Sequence, residues 1–149
     1  VGASCRDAPA GVLPVEQAQA LVFGYTVGLD LTRRDLQAAA KAKGLPWDTA
    51  KGFDHSAPVG ELLPAAEAGT LDGRVLGLQV NGQVRQRARL ADLIWHVPEI
   101  LYELSKLYAL RAGDLVFMGT PAGVAALQPG DAFAASLDGI ATLHGRVAA

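Results

Sequence analysis

Apolar and polar positions alternate most clearly in the middle of the chain, between residues 74 and 90. Every second residue from Leu76 to Val80 is apolar, which is the period of a β-strand with one buried face. Asn81-Gly82 follows directly, and this dipeptide favours a two-residue type I′ turn. A second run, residues 83–90, completes the pattern. The sequence therefore predicts a β-hairpin here.

Helical periodicity marks three other segments. Apolar residues spaced by three and four predict the longest helix over residues 91–109, with a kink or break near Val97 because Pro98 lies inside it. A shorter helix is expected to open at Pro14 and to end at Gly24. Another is expected to begin near Leu31 and to close at Gly44.

Short apolar runs predict the remaining strands, which lie at residues 25–31, 59–63, 114–118, 131–137 and 140–147. Residues 44–58 and 65–73 lack a clear period and are expected to be loops. The pattern predicts one α+β domain over residues 1–149, dominated by a mixed or antiparallel sheet. Val1-Gly2 has the character of the end of a strand, so we expect the domain to be incomplete on its N-terminal side.

Composition narrows the class of protein. The chain has 149 residues, of which 50% are hydrophobic and 19% are charged, and its net charge is −2. These values are typical of a globular domain and give no basic footprint for nucleic acid or a membrane surface. A single cysteine excludes an internal disulfide and a cysteine-based zinc cluster. We expect a cytoplasmic protein with neither nucleic acid nor membrane as a partner.

Asp30 is the first candidate for chemistry, because a carboxylate beside apolar strand residues needs a cation or a hydrogen-bonding partner. If a helix begins near Leu31, the spacing turns Arg34 and Gln37 towards the same face. Together the three could bind a cation and an anionic, oxygen-rich ligand. The alternatives are a helix cap or an ion pair of Asp30 with Arg33 or Arg34, and a solvated helix face for Arg34 and Gln37.

Two loops carry further candidates. Lys51 lies between two aromatic residues, where its ammonium group could stabilise an enolate or oxyanion, although a surface lysine is the simpler interpretation. Gly119 and Thr120 follow a predicted strand, and such a loop can present N–H groups and a hydroxyl to an anion, or be a plain turn. Among the histidines, His96 is expected to be a packing residue, and only His55 shares a loop with a candidate.

Five segments, taken in order, resemble the fumarylacetoacetate hydrolase family, and most closely its acylpyruvase branch, the acylpyruvate and fumarylpyruvate hydrolases. They are residues 24–37 (GYTVGLDLTRRDLQ), 44–54 (GLPWDTAKGFD), 81–86 (NGQVRQ), 111–124 (RAGDLVFMGTPAGV) and 127–131 (LQPGD). The resemblance implies a mixed β-sandwich roll of the family's C-terminal-domain type. It also implies a homodimer that uses Mg²⁺ or Mn²⁺ to cleave a carbon–carbon bond in a 1,3-dicarbonyl oxo acid.

The resemblance also assigns roles to individual residues. By motif it implies a metal ligand at Asp30, catalytic roles for Lys51 and Gln37, and substrate binding by Arg34, Gly119 and Thr120. Leu29 stands where many members carry Asn, and His55 stands where a small or aromatic residue is expected. The family's other two metal ligands, a Glu-x-Glu pair, and its water-activating His and Glu would precede Val1.

The sequence leaves the reaction open between related functions. Acylpyruvate hydrolysis is the first, and an oxaloacetate decarboxylase or a 2-oxo acid hydratase or isomerase with the same metal is the second. The third is a fragment that folds and dimerises without catalysing a reaction.

Overall fold

The computed structural model describes residues 1–148, which form eight strands and five α-helices. The strands are β1 (Gly2–Ser4), β2 (Val22–Tyr25), β3 (Leu63–Pro64), β4 (Val75–Val80), β5 (Gln83–Arg89), β6 (Leu115–Val116), β7 (Ala132–Leu137) and β8 (Ala141–Arg146). The helices are α1 (Val15–Ala18), α2 (Arg34–Ala42), α3 (Asp48–Lys51), α4 (Ala65–Ala68) and α5 (Val97–Ser105). Two 3₁₀ turns cover Gln19–Leu21 and Leu90–Asp92. The predicted α+β class is confirmed.

One sheet, called here the hairpin sheet, has the strand order β5-β4-β7-β8, and all its pairs are antiparallel. The predicted hairpin is confirmed. Asn81 and Gly82 have φ values of +51° and +77°, as a type I′ turn requires at both central positions. A register shift between Leu78 and Gln79 marks a bulge in the β4–β5 ladder.

The other sheet, called here the site sheet, has the strand order β3-β2-β1-β6 and is also antiparallel throughout. Because β1 lies between β2 and β6 and runs antiparallel to both, β2 and β6 are parallel to each other. Gly2 is opposite Tyr25 on one side and Val116 on the other. The segments that follow β2 and β6 therefore leave the sheet at the same end.

Two buried clusters hold these layers together. The first joins α1 and its 3₁₀ turn to α5, and contains Leu13, Ala18, Leu21, Leu101 and Leu110. The second lies on the hairpin sheet, where Ala135 and Leu137 pack with Val27 from the segment after β2. This contact fixes the end of the site sheet against the hairpin sheet. No helix in residues 1–148 combines the length and the hydropathy that a membrane span needs.

Several predicted helix boundaries are wrong. The first helix has Pro14 as its N-cap and ends at Ala18, and Gly24 lies in β2 instead. The next begins at Arg34 rather than near Leu31. The long helix begins only at Val97, so Pro98 occupies the first turn. Residues of the first turn donate no hydrogen bond within the helix, so the missing N–H of proline costs nothing there.

The predicted loops and short strands also need correction. Residues 44–58 contain α3 and residues 65–73 overlap α4, each a single turn that is too short to show a period. The strand expected over residues 25–31 is β2, which is earlier and shorter. The strand expected over residues 59–63 is β3, which contains only Leu63 and Pro64.

Candidate functional site

The centre of the candidate site is an ion pair between Asp30 and Lys51. The Lys51 Nζ donates to both carboxylate oxygens of Asp30, each at 2.8 Å. The side chain of Lys51 is 35% exposed and that of Asp30 is 52% exposed. Both groups therefore face solvent and are accessible to a small ligand.

Backbone pairing brings these two residues together although 21 positions separate them. The segment after β2 runs along residues 50–58, which are the end of α3 and the chain that follows it. Leu29 N–H donates to Pro58 O, Leu31 N–H to Ser56 O, and Arg33 N–H to Ala50 O, at 2.8 to 3.0 Å. Lys51 follows Ala50 directly, so these backbone hydrogen bonds place the Lys51 side chain beside the Asp30 carboxylate.

Within residues 1–148, Asp30 is neither a helix cap nor the ion-pair partner of an arginine. Arg33, not Asp30, is the N-cap of α2, and α2 has no side-chain cap. The guanidinium of Arg33 lies 4.4 Å from the centroid of the Phe53 ring, away from any ion pair with Asp30. Among the described residues, the ion-pair partner of Asp30 is Lys51.

Arg34 and Gln37 are brought together as predicted, but by α2 alone. The Arg34 Nη1 donates to the Gln37 Oε1 across one helical turn. Arg34 is exposed and Gln37 is half-buried. Asp30 does not belong to this helical face, because the helix starts four residues later than Asp30.

Thr120 lies in a loop that β5 holds in place. The Gln86 Nε2 donates to the Thr120 Oγ1 at 3.0 Å and to the Pro121 carbonyl at 2.7 Å. At the other end of the loop, Gly123 has φ +100°, and a Cβ there would lie 2.0 Å from the Arg85 carbonyl oxygen. Gly119, at φ +111°, is exposed beside Thr120. The loop is therefore pinned on both sides of its apex.

The two candidate loops leave the site sheet at one end. Asp30 follows β2 by five residues and Thr120 follows β6 by four, and these strands are parallel and level in register. Gly28 and Phe117 lie on the two extensions, and a Cβ at Gly28 would be 3.0 Å from the Phe117 ring. The two extensions are therefore still adjacent at Gly28 and Phe117, two residues before Asp30 and three before Thr120.

The described residues offer a metal ion one carboxylate, that of Asp30, and not a complete set of ligands. Within the described range, no three His, Cys, Asp or Glu side chains cluster closely enough to hold a metal. Asp30 offers two hard oxygen donors, which suits a divalent cation such as Mg²⁺ or Mn²⁺, but both oxygens contact Lys51. These residues alone do not fit a bound metal ion, and further ligands would have to come from outside residues 1–148.

The histidines contribute little to this geometry. His55 is exposed and adopts φ +64°, a conformation that is uncommon for a residue with a Cβ. The expectation that His96 packs inside a helix is wrong, because it is the exposed N-cap of α5 and its N–H donates to Glu99.

Gln86 belongs to the candidate site although the sequence did not indicate it. It lies on β5 at a position that shares its parity with half-buried Ala88 and Leu90, whereas Arg85 and Arg87 are exposed. An amide on the inward-facing side of a hairpin strand needs a polar partner. That pattern was the available signal, but it does not identify Thr120 as the partner.

Comparison with known proteins agrees with this architecture. The family model described as the C-terminal domain of fumarylacetoacetate (FAA) hydrolase matches residues 1–148. The chain belongs to the fumarylacetoacetate hydrolase family. It is 42% identical to a fumarylpyruvate hydrolase of Ralstonia over 128 residues, which are 86% of this chain and 66% of that protein.

Two further relatives of this fumarylacetoacetate hydrolase family member differ in their named activity. Oxaloacetate tautomerase YcgM of Escherichia coli is 41% identical over 140 residues, 93% of this chain and 62% of that protein. The fumarylpyruvate hydrolase of Pseudomonas aeruginosa, solved in complex with Mn²⁺ and pyruvate, superposes with a TM-score of 0.93 at 44% identity. That match covers 99% of this chain and 62% of the other.

The family and its fold are therefore established, and family members include enzymes. The chain spans between three fifths and two thirds of the length of these relatives.

Proposed function

We propose that the full-length protein carrying this chain is a divalent-metal-dependent hydrolase of acylpyruvates, compounds with a 2,4-dioxo acid core. The observation that carries the proposal is the Asp30–Lys51 pair, exposed at the end of the site sheet. Similarity to two proteins named fumarylpyruvate hydrolase supports the substrate class. The reaction adds water across one carbon–carbon bond and yields pyruvate and a carboxylic acid.

Binding is assigned to the polar groups around the pair. The Arg34 guanidinium can form charge-assisted hydrogen bonds with the substrate carboxylate, and the Gln37 amide is held against it. The Thr120 hydroxyl and the Gly119 N–H can donate to the same carboxylate from the other loop. These groups orient the pyruvyl half and leave the acyl half free to vary.

Lys51 is assigned to stabilise the negative charge that bond cleavage leaves on the product enolate. Water attacks the distal carbonyl, the bond between C3 and C4 breaks, and its electron pair forms a pyruvate enolate that is later protonated at C3. Lys51 has three N–H donors and uses two on Asp30, so the third can stabilise the enolate oxygen. The base that deprotonates the water is assigned to residues outside this sequence.

A divalent cation, when bound, would polarise the oxo groups of the substrate as a Lewis acid. Asp30 is the only described residue to which we assign cation binding. We propose that the other ligands lie upstream of Val1, beside the extended β2 strand. Continuing β1 in its present register would carry such residues between the segments that end at Asp30 and Thr120.

A second candidate is oxaloacetate tautomerisation, which similarity to YcgM supports almost equally. This reaction also passes through an enolate that Lys51 could stabilise, but it breaks no carbon–carbon bond. It therefore requires no attacking water. Arg34 and Thr120 would hold the same 2-oxo acid end of the substrate.

Product analysis separates the candidates. Acetylpyruvate and oxaloacetate are each incubated with the full-length protein and Mg²⁺ or Mn²⁺, and the products are followed by ¹H NMR. The hydrolase predicts acetate and pyruvate in equal amounts from acetylpyruvate. Accelerated keto–enol exchange of oxaloacetate without cleavage of acetylpyruvate would favour the tautomerase, and loss of CO₂ from oxaloacetate would favour a decarboxylase. No turnover of either would contradict both candidates.

A further inference from the structure

Gln86 is the only described side chain that hydrogen-bonds to Thr120, and it belongs to the hairpin sheet rather than to the site sheet. It is half-buried, and its Nε2 also contacts the Pro121 carbonyl at 2.7 Å. The amide therefore reaches two consecutive residues of the loop.

The Pro121 contact settles which way the Gln86 amide is turned. A backbone carbonyl is an acceptor only, so the atom that faces it must be the NH₂ group and not the amide oxygen. One hydrogen of that NH₂ group points to Pro121 O. The second is then directed to the Thr120 Oγ1, 3.0 Å from the same nitrogen.

This arrangement makes the Thr120 oxygen an acceptor towards the protein. A hydroxyl carries one proton, and a hydroxyl that accepts a hydrogen bond from an amide keeps that proton available for donation to another group. The Thr120 O–H is therefore left to point away from β5. A carboxylate can only accept hydrogen bonds, so an outward-pointing O–H is the polarity that an anionic ligand requires.

The remaining contacts of the loop prevent it from turning freely. Gly123 packs so closely on the Arg85 carbonyl that a Cβ could not be accommodated. Arg85 and Gln86 are consecutive on β5, so one strand supports both sides of the loop apex. The orientation of Thr120 thus depends on the side-chain amide and not on loop flexibility.

We infer that Gln86 is a positioning residue that fixes Thr120 as a hydrogen-bond donor to the carboxylate of the oxo acid. The inference rests on the proposed function, in which Thr120 binds that carboxylate. Gln86 does not touch the substrate, and it acts through the Thr120 hydroxyl.

The test is a double-mutant cycle between positions 86 and 120, read as the affinity for pyruvate in the Mn²⁺-loaded full-length protein by calorimetry. Gln86→Met preserves length but removes both donated bonds, and we expect affinity to fall about three- to tenfold. Gln86→Glu can only accept from Thr120 and adds a negative charge, so we expect a loss of more than about tenfold. In a Thr120→Val background, the effect of Gln86→Met should fall below about twofold, because the hydroxyl through which it acts is absent.

Gln83→Glu is the matched control. Gln83 is exposed on the same strand, makes no side-chain hydrogen bond in the described structure, and would gain the same charge. We expect its pyruvate affinity to remain at the wild-type value. Thermal unfolding of every variant is measured alongside, so that a folding defect in Gln86→Met is seen directly, and Gln86→Asn then serves as the milder second variant.

The outcomes separate this inference from the proposed function. If Thr120→Val weakens pyruvate binding but Gln86→Met does not, the inference is overturned and the proposed function stands. Equal effects of Gln86→Met with and without the Thr120 hydroxyl would also overturn it, because Gln86 would then support only the loop backbone. If Thr120→Val itself leaves pyruvate affinity unchanged, the assigned role of Thr120 fails, and the inference fails with it.

Discussion

The two sheets of this protein are built in opposite ways. In the hairpin sheet, the strands have six or seven residues, and the pairs β4–β5 and β7–β8 are neighbours in the sequence. In the site sheet, the strands have two to four residues and are collected from residues 2 to 116. The hairpin sheet thus consists of two local hairpins joined by the β4–β7 pair, whereas the site sheet is built from short strands that are distant in the sequence.

The candidate chemistry follows this division. Asp30, Lys51 and Thr120 all lie in segments that extend or flank the site sheet, and none lies in a regular strand. The hairpin sheet contributes support instead, through Gln86 to Thr120 and through the cluster around Val27. A short strand ends early and leaves its continuation free to carry polar side chains, whereas a long ladder uses its residues for pairing and packing.

The largest effect is expected for Lys51→Ala. We expect kcat on acetylpyruvate to fall by about 10²- to 10³-fold, because an electrostatic contact to the enolate is lost. The free energy of unfolding should change by less than about 1 kcal/mol, since the pair with Asp30 is exposed. Lys41→Ala, on the exposed face of α2, is the control and should retain wild-type activity. Similar kcat values for the two variants would remove Lys51 from the reaction.

The next largest effect is a difference in stability between glycine-to-alanine substitutions in the two sheets. A Cβ at Gly24 in β2 would lie 2.4 Å from the backbone oxygen of Leu63, which cannot turn aside. We expect Gly24→Ala to reduce the free energy of unfolding by roughly 2–4 kcal/mol in urea titrations. Gly77→Ala in β4 would meet the Ser136 hydroxyl at 3.3 Å and the Gln86 backbone oxygen at 4.0 Å, so its cost should stay within about 1 kcal/mol. Equal losses would show that the close approach in the site sheet is not what distinguishes the two positions.

A smaller effect should appear in the hairpin sheet as pH falls. The Gln128 N–H and the Asn81 side chain donate to the Asp131 carboxylate, and these bonds hold its pKa below the ordinary value of 3.8. Because the folded-state pKa is the lower one, the stabilisation is present above pH 3.8 and is lost as pH falls through the folded-state pKa. Asp131→Asn should therefore lower the thermal midpoint at pH 7.

The control for Asp131 is Asp72→Asn, which removes the same charge from an exposed loop residue. We expect the midpoints of Asp131→Asn and the wild type to converge in strongly acidic buffer, while Asp72→Asn follows the wild type throughout. A constant difference between Asp131→Asn and the wild type at every pH would contradict the assigned role of the carboxylate.

The smallest effect is expected at His55, which lies beside the site sheet in the loop of Lys51. Its φ of +64° favours glycine, so His55→Gly should change the free energy of unfolding by no more than about 1 kcal/mol, with relief of strain offsetting added chain entropy. Turnover of acetylpyruvate should be unaffected. A large fall in kcat would instead identify His55 as part of the reaction.

Local patterns were sufficient for the hairpin sheet. Alternation from Leu76 to Val80 and the Asn81-Gly82 turn predicted β4, β5 and the turn type, because all of the interactions concerned lie within a few residues. Pairing within the β4–β5 hairpin therefore requires no knowledge of distant parts of the chain. The family resemblance and the α+β class were also correct.

The site sheet could not be predicted in the same way. Residues 31–33 follow a helical pattern, but the Leu31 N–H bonds to Ser56 O and the Arg33 N–H to Ala50 O, so α2 starts only at Arg34. The Asp30–Lys51 pair results from that tertiary ladder, and no spacing within residues 24–37 reveals it. Tertiary hydrogen bonds here override local propensity.

We propose that the Asp30 carboxylate, at the end of the site sheet, serves a cation and an oxo acid together. The most direct test is calorimetric titration of Mn²⁺ into the full-length protein with and without oxalate, a mimic of the pyruvate enolate, in the wild type and in Asp30→Asn. We predict oxalate-dependent Mn²⁺ binding in the wild type and a loss of about tenfold or more in Asp30→Asn. Identical Mn²⁺ affinity in the two proteins would contradict the claim.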